Sequence, residues 1–208
     1  MKIVITAGPT REYLDPVRFL SNPSTGKMGF AIAAEAAKRG HEVTLVAGPV
    51  SLKTPKGVDR IDVVSAREML SAVRSSLPAD MFISTAAVAD WRPAKRASRK
   101  LKKSEMPPVL KLVRNPDILK TISRSSVRPM RLVGFAAETD NVIAEASRKC
   151  REKGLSFVVA NDVTKRGSGF GTDTNQVAFV FPDGTSRAFP LLTKRRVAIE
   201  ILRQSFLI

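Results

Sequence analysis

The chain has 208 residues, 43% of them hydrophobic, and a formal net charge of +16, enough for one domain, 1–208, with a full core. Ile3, Val4 and Ile5 are the only contiguous strongly apolar residues near the start, too few for a signal-peptide core or a membrane span, so a cytoplasmic protein without a membrane partner is expected. The single Cys150 excludes an internal disulfide, and the single His41 has no second His or Cys nearby, so no metal-ligating residues are expected.

In chain order, Lys2-Ile3-Val4-Ile5-Thr6 is a β-branched apolar run that predicts a strand buried on both faces. The stretch Ser21-Asn22-Pro23-Ser24-Thr25-Gly26-Lys27-Met28-Gly29 then leads into an Ala-rich segment, 30–37. Here Met28, Ile32, Glu35 and Arg39 share one helical face, Phe30, Ala33, Ala34 and Ala37 share another, and Gly40 supplies the stop. With a strand expected over 42–47, this is a βαβ unit. A Gly and a Ser/Thr pair just ahead of a helix leave backbone N–H groups unpaired, which makes an anion site. The alternative is that Gly26 and Gly29 only let the helix pack closely on the sheet. The dinucleotide pattern G-x-G-x-x-G does not fit Ala7-Gly8-Pro9-Thr10, after which about fifteen residues precede the helix. A Walker-type loop is also excluded, because Met28 follows Gly26-Lys27 and Ser21 stands where that motif needs its first Gly.

Residues 60–64 alternate and predict a strand; Ser65 with Glu68 resembles a capping box opening a helix to about Ser75, which Pro78 closes. A buried strand over 81–85 delivers Ala86-Ala87-Val88-Ala89-Asp90 into a loop at a strand carboxyl end, where open α/β sheets bind ligands. Asp90 there can accept hydrogen bonds from ribose hydroxyls, help hold a cation, or serve as a local cap. The loop 91–108 is long enough to be a flap, and residues 109–113 form one arm of a β hairpin. Asn115 is the expected N-cap of the next helix, with Pro116 at its first position. A strand over 131–135 follows, then a helix over 141–153 that carries Lys149 and Lys153 on one face; taken alone, that pair is favourable placement against a helix carboxyl end. The strand 155–160, a Gly-rich loop through Gly167, Gly169 and Gly171 to Asn175, a hairpin over 176–189 and a closing helix over 194–205 complete the chain. The fold expected is a three-layer, Rossmann-like α/β domain with a mainly parallel sheet, a long flap loop and a C-terminal β hairpin.

The charge is uneven: seven of the twelve residues from 92 to 103 are Lys or Arg. They are not interleaved with stacking aromatics, so the run suits a local cationic loop better than a nucleic-acid platform.

Taken in order, the landmarks resemble the phosphopantothenoylcysteine synthetase of coenzyme A biosynthesis, in particular the bacterial synthetase that forms the carboxyl half of a fused synthetase-decarboxylase. The segments are Ala7-Gly8-Pro9-Thr10-Arg11, Leu14-Asp15-Pro16-Val17-Arg18 with Ser21-Asn22, Ser24 through Gly29, Ala86-Ala87-Val88-Ala89-Asp90, Lys100-Leu101-Lys102-Lys103, Asn115-Pro116-Asp117-Ile118, Gly134-Phe135-Ala136-Ala137-Glu138 and Ala160-Asn161-Asp162. The resemblance implies a ligase that uses CTP, with Mg²⁺, to join 4'-phosphopantothenate to L-cysteine through an acyl-cytidylate. It places Lys100 on the triphosphate, Asp90 on the ribose, and Ser84, Thr85, Ala86, Pro116, Asp117, Ile118, Leu119, Phe135, Lys149 and Lys153 on the nucleotide. Asn22 and Arg18 match residues tied to the acyl-cytidylate step. It further implies a homodimer whose flap completes the neighbouring site, and a flavin-dependent decarboxylase as a separate or fused partner. Residues 93–99 are richer in Lys and Arg than the family pattern requires. The rival readings are a basic nucleic-acid-binding module, which leaves Asn22, Asp90 and Asn161 unexplained, and a nicotinamide-dependent oxidoreductase, disfavoured by the missing glycine pattern.

Overall fold

The computed structural model describes residues 1–106, 108–165 and 167–207. Its strands are β1 (Lys2–Ala7), β2 (Arg11–Tyr13), β3 (Phe19–Ser21), β4 (Glu42–Ala47), β5 (Val58–Asp62), β6 (Met81–Ser84), β7 (Trp91–Pro93), β8 (Leu112–Arg114), β9 (Arg131–Glu138), β10 (Phe157–Asp162), β11 (Thr174–Asn175), β12 (Val177–Val180), β13 (Ser186–Ala188) and β14 (Leu192–Thr193). The helices are α1 (Lys27–Lys38), α2 (Ala66–Ser75), α3 (Ile118–Ser123), α4 (Val142–Glu152) and α5 (Lys194–Phe206).

The main sheet runs β13-β12-β10-β9-β6-β1-β4-β5. The six strands from β10 to β5 are parallel, and β12 and β13 close the other edge antiparallel. The chain leaves β1 for β4 and β5 on one side and returns to β6 on the other. The crevice between β1 and β6 is thus a topological switch point, and ligand groups are expected at its carboxyl end.

Burial on both faces follows from alternation along each strand. Ile3 and Ile5 of β1 join Phe30, Ile32, Val197 and Ile201 in the core under α1 and α5, whereas Val4 joins Met69, Ile122 and Cys150 under α2, α3 and α4. The helix starts follow local chemistry. Ser65 and Glu68 form the expected capping box on α2, and Thr193 Oγ1 accepts from the Arg196 N–H at the start of α5.

Several expectations shift. Strand β5 covers 58–62 rather than 60–64, because Val58 pairs with Val43 and the Val64 N–H turns to Glu68 Oε2. Helix α3 begins at Ile118, capped by Asp117, whose carboxylate accepts from the Lys120 N–H at 2.9 Å. Asn115 instead donates to the Ala89 carbonyl, so neither it nor Pro116 opens the helix. Strand β9 runs on to Glu138, and β10 starts at Phe157. The flap begins as a strand: β7 pairs antiparallel with β8, Trp91 opposite Arg114, which closes the base of an arm whose returning strand is 112–114 rather than the expected 109–113. Pro107, within it, lies outside the described residues. The β2–β3 hairpin lies between β1 and α1.

Gly29 sets the seating of α1. A Cβ there would lie 2.5 Å from Ala7 Cβ and 2.5 Å from Thr85 Oγ1, both fixed by the sheet. The packing explanation for Gly29 therefore holds. Gly29→Ala gains about 1 kcal/mol of helix propensity but forces an overpacking cost of about 1–3 kcal/mol. A net loss of stability is expected in urea unfolding, together with a displaced helix start.

Candidate active site

Gly26 adopts φ 77° as the N-cap of α1, a left-handed conformation that a side-chain-bearing residue adopts only with strain. No side chain caps the helix, and its first turn carries no acidic residue. Phe30 N–H is the first to reach back, to the Gly26 carbonyl at 3.1 Å. Helix geometry leaves the N–H groups of Lys27, Met28 and Gly29 without intrahelical carbonyls. They open on a cavity of about 330 Å³ at the switch point, lined by Asn22, Ser24, Thr25, the α1 start, Thr85, Ala86, Ala87, Phe135, Asn161 and Lys194. The packing role of Gly29 is thus compatible with free N–H groups at the α1 start facing the cavity.

The opposite wall continues β6. Thr85 Oγ1 donates to the Thr6 carbonyl at 2.6 Å, Ala86 N–H to Thr6 Oγ1 at 3.3 Å, and Ala89 N–H to Thr10 Oγ1 at 3.0 Å. Asn22 Nδ2 donates to the Ala87 carbonyl at 3.1 Å, which fixes this amide at the cavity edge. Small side chains at 86 and 87 keep the backbone open to a ligand.

On the other side of the sheet, Asp117, Lys120, Arg148, Lys149, Glu152 and Lys153 surround a second pocket of about 220 Å³. Lys153 Nζ lies 2.6 Å from Asp117 Oδ2 and Lys149 Nζ 3.5 Å from Glu138 Oε1. Burial pushes the Asp117 carboxyl up, but the bonds from Lys153 and the Lys120 N–H, with the two lysine charges, more than offset this and hold it below the ordinary value. The lysine pair is therefore paired with carboxylates from β9 and the α3 cap, and does not merely neutralise a helix end.

The predicted residues divide between these places. Asn22, Thr85, Ala86 and Phe135 line the larger cavity, and Asp117, Lys149 and Lys153 line the smaller one. Ser84 ends β6, Pro116 precedes the α3 cap, and Ile118 and Leu119 are buried in the second core. Asp90 is exposed at the base of the arm, its carbonyl accepting from the Asn115 N–H at 2.8 Å. Lys100 is exposed on the arm itself.

Arg18 belongs to the arm as well. Its guanidinium donates to the Leu101 carbonyl at 2.5 Å and to Met106 Sδ at 3.0 Å, and lies 3.5 Å from Asp15 Oδ2. Asp15 is fully buried and accepts from the N–H groups of Val17, Arg18 and Leu101. Its burial raises the carboxyl pKa, and these three bonds with the Arg18 charge carry it below the ordinary value. Both polar groups of the Leu101 peptide, next to Lys100, are thereby clamped.

Sequence reasoning named Lys194 only as the start of a helix. It is 7% exposed, lines the larger cavity, and its ammonium donates to Gly169 O, Thr172 O, Thr172 Oγ1, Thr174 O and Asn175 Oδ1 at 2.6–3.3 Å. Burial and the nearby Lys27 charge push it down to about 8, against the pull of Asp173. A Lys directly behind a Thr cap and a Gly-rich loop was the available signal.

Comparison with known proteins places the chain. Residues 1–206 match the family described as the DNA/pantothenate metabolism flavoprotein C-terminal domain, and the chain belongs to that family. The coenzyme A biosynthesis bifunctional protein CoaBC of Vibrio vulnificus (strain YJ016) is 48% identical over 207 residues, covering 97% of this chain and 51% of that protein. The chain thus spans about half the length of such relatives. The crystal structure of the C-terminal domain of a coenzyme A biosynthesis bifunctional protein CoaBC superposes with TM-score 0.82 at 45% identity, covering 98% of this chain and 92% of that one. A Cab2 variant in complex with phosphopantothenate-cysteine shares the fold, with TM-score 0.81 at 17% identity over 99% of this chain and 86% of its own.

The Asp15 clamp makes a checkable demand on the arm. In Asp15→Asn an N–H₂ group replaces one accepting oxygen and the Arg18 charge loses its counter-ion, so residues 97–106 should be cut by trypsin several-fold faster while α1 and the sheet keep native exchange protection. Equal cleavage rates in variant and wild type would show that the clamp does not hold the arm.

Proposed function

We propose that this domain is a phosphopantothenate-cysteine ligase of coenzyme A biosynthesis, using CTP to join 4'-phosphopantothenate and L-cysteine and releasing CMP and pyrophosphate. The observation that carries the reading is one sheet edge serving two anion-compatible pockets, the uncapped α1 start with Asn22 and the lysine-lined pocket of α3 and α4. Family membership and the phosphopantothenate-cysteine bound to the Cab2 variant support it.

In this mechanism the phosphate of phosphopantothenate sits on the free N–H groups of α1, where backbone donors and the helix dipole favour an anion. Its carboxylate attacks the α-phosphorus of CTP, the bond to the β-phosphate oxygen breaks, and pyrophosphate leaves. The cysteine amine then attacks the acyl carbon and CMP departs with the bonding pair. Asn22 donates to the acyl oxygen as charge develops there, without titrating. Lys100 approaches the triphosphate from the arm, Asp90 takes the ribose hydroxyls, and Ser84, Thr85, Ala86, Pro116, Asp117, Ile118, Leu119, Phe135, Lys149 and Lys153 surround the nucleotide. Arg18 acts by holding the Leu101 peptide and hence the arm that carries Lys100.

Among the described residues no three His, Cys, Asp or Glu side chains cluster as a metal site. Phosphate oxygens and water would be the chief ligands of Mg²⁺, which supplies charge neutralisation on the triphosphate. A homodimer is proposed because the arm projects with apolar side chains in the open, Val109 at 79% and Trp91 at 45% exposure, and a second subunit would cover them. The remaining half of the bifunctional relatives suggests a flavin-dependent decarboxylase as partner. Among the described residues no helix is long and apolar enough to cross a membrane, and a cytoplasmic enzyme is proposed.

Single turnovers with labelled CTP, with and without cysteine, test the roles. Asn22→Asp should consume CTP and stall with bound acyl-cytidylate, since a carboxylate cannot donate and repels the acyl oxyanion. Lys100→Gln should slow formation of that intermediate by about ten- to a hundredfold, the worth of one charge-assisted contact of about 1.5–3 kcal/mol. If no pyrophosphate is released by wild type with CTP and phosphopantothenate, the ligase reading fails; if both variants stall at one step, the assignment of roles fails.

A further inference from the structure

The loop 167–175 forms part of the wall of the larger cavity, through Gly169, Gly171 and Asn175. Two lysines hold it, and both are first residues of helices. Lys27 of α1 donates to the Gly171 carbonyl at 3.0 Å and lies 2.7 Å from Asp173 Oδ1, while Lys194 of α5 makes the five contacts already described. A cation at a helix amino end opposes the helix dipole, and α5, like α1, has no acidic residue in its first turn to compensate. Compensation comes from the loop. Gly167, Gly169 and Gly171 have φ of 80°, 103° and 78°, left-handed turns that aim the Gly169 carbonyl at Lys194 and the Gly171 carbonyl at Lys27, while the Gly167 carbonyl accepts from Thr174 Oγ1. The Thr172 hydroxyl and the Asn175 amide oxygen complete an oxygen-lined cage around the Lys194 ammonium. Asn175 also accepts from the Gly169 N–H, and its amide donates to Met28 Sδ in the first turn of α1. The cage is thus joined to the helix whose free N–H groups face the cavity. Lys27 is exposed enough for its pairing with Asp173 to be the weaker hold; the buried Lys194 is the firm one.

We propose that Lys194 is a positioning residue: its buried ammonium organises the loop 167–175 into the wall that closes the α1 end of the cavity, and so sets the affinity for the anionic acyl substrate without touching the reacting atoms. A cation of this kind does what a bound ion does in loops of inward-turned carbonyls, except that it is covalently tethered to α5. Removing it leaves the Thr172 carbonyl without a donor and the Gly169 and Thr174 carbonyls to share the single Thr172 hydroxyl, and the loop regains their solvation by opening. Of the residues assigned to the nucleotide, those on α3 and α4 lie on the other core, and Thr85 and Ala86, which share the larger cavity with Phe135, are held by Thr6 and not by the cage.

The identity of the acyl substrate rests on the proposed ligase function; the loop lock does not. Two measurements on the full chain therefore separate them, using Lys194→Met, which keeps length without charge, and Lys194→Gln, which keeps two N–H donors and serves if the Met variant does not fold. Amide exchange without ligand should become at least about tenfold faster over 167–175 in either variant, with the sheet unchanged. In steady-state kinetics the KM for 4'-phosphopantothenate should rise at least about tenfold, while kcat and the KM for CTP stay within about twofold. Unchanged exchange over the loop overturns the proposal. So does a fall in kcat with KM unmoved, which would make Lys194 catalytic, or an equal rise in both KM values, which would make its role general stability. If wild type shows no CTP-dependent pyrophosphate release, the ligase reading fails and the exchange arm alone decides the lock.

Discussion

The seating of α1 against β1 is the constraint on which the candidate site depends. With no side chain at Gly29, the helix lies against Ala7 and Thr85, and with Gly26 left-handed the chain enters it from a direction that leaves the first N–H groups facing the switch point. The two glycines do different jobs one turn apart: one brings the helix onto the sheet, the other turns the chain so that no side chain covers its end. A helix placed farther out would still offer N–H groups, but not beside Asn22 and the open backbone at 86 and 87.

Most of the fold was legible because buried strands carry their own signature. Runs such as 3–5, 45–47 and 81–83 are apolar throughout, as a strand covered on both faces requires, and helices between them impose parallel pairing. Boundaries went astray where two residues competed for one role. Asn115 and Asp117 can each cap a helix; the choice fell to Asp117 because its carboxylate accepts from Lys120 N–H and also meets Lys153, whereas Asn115 is drawn off to the Ala89 carbonyl. Such choices depend on partners distant in the chain, and local preference does not contain them.

The site was legible in the same proportion. The cluster around Asn22, Thr85 and Ala86 lies where strand ends meet a helix start, which the order of elements already implies. Arg18 and Lys194 act through contacts that no local pattern encodes. Arg18 grips a carbonyl 83 residues away, and Lys194 is caged by a loop some 20 residues earlier in the chain. The glycines at 167, 169 and 171 mark in advance only a loop free to make left-handed turns; which of its oxygens face Lys194 is set by the distant start of α5.

The cationic run from 92 to 103 shows how little a charge count says about use. Its arginines are committed to the arm: Arg92 donates to the Arg114 carbonyl and to Asn115 Oδ1, Arg96 stacks over Tyr13 with 5.0 Å to the ring centroid, and Arg99 makes a two-pronged pair with Glu105. The guanidinium suits this work because it is planar, presents several donors and lies flat on an aromatic face. Lys95, Lys100, Lys102 and Lys103 are instead exposed, each a compact charge on a flexible stem. The arm is thus braced by arginine and armed with lysine, and within 92–103 the four lysines are the cations left exposed without an acidic or aromatic partner among the described residues. That distribution suits transient neutralisation of a polyanion such as a nucleoside triphosphate. Lasting adhesion to a nucleic acid would instead call for open aromatic rings between the cations, and here the aromatic ring of Tyr13 is already covered by Arg96.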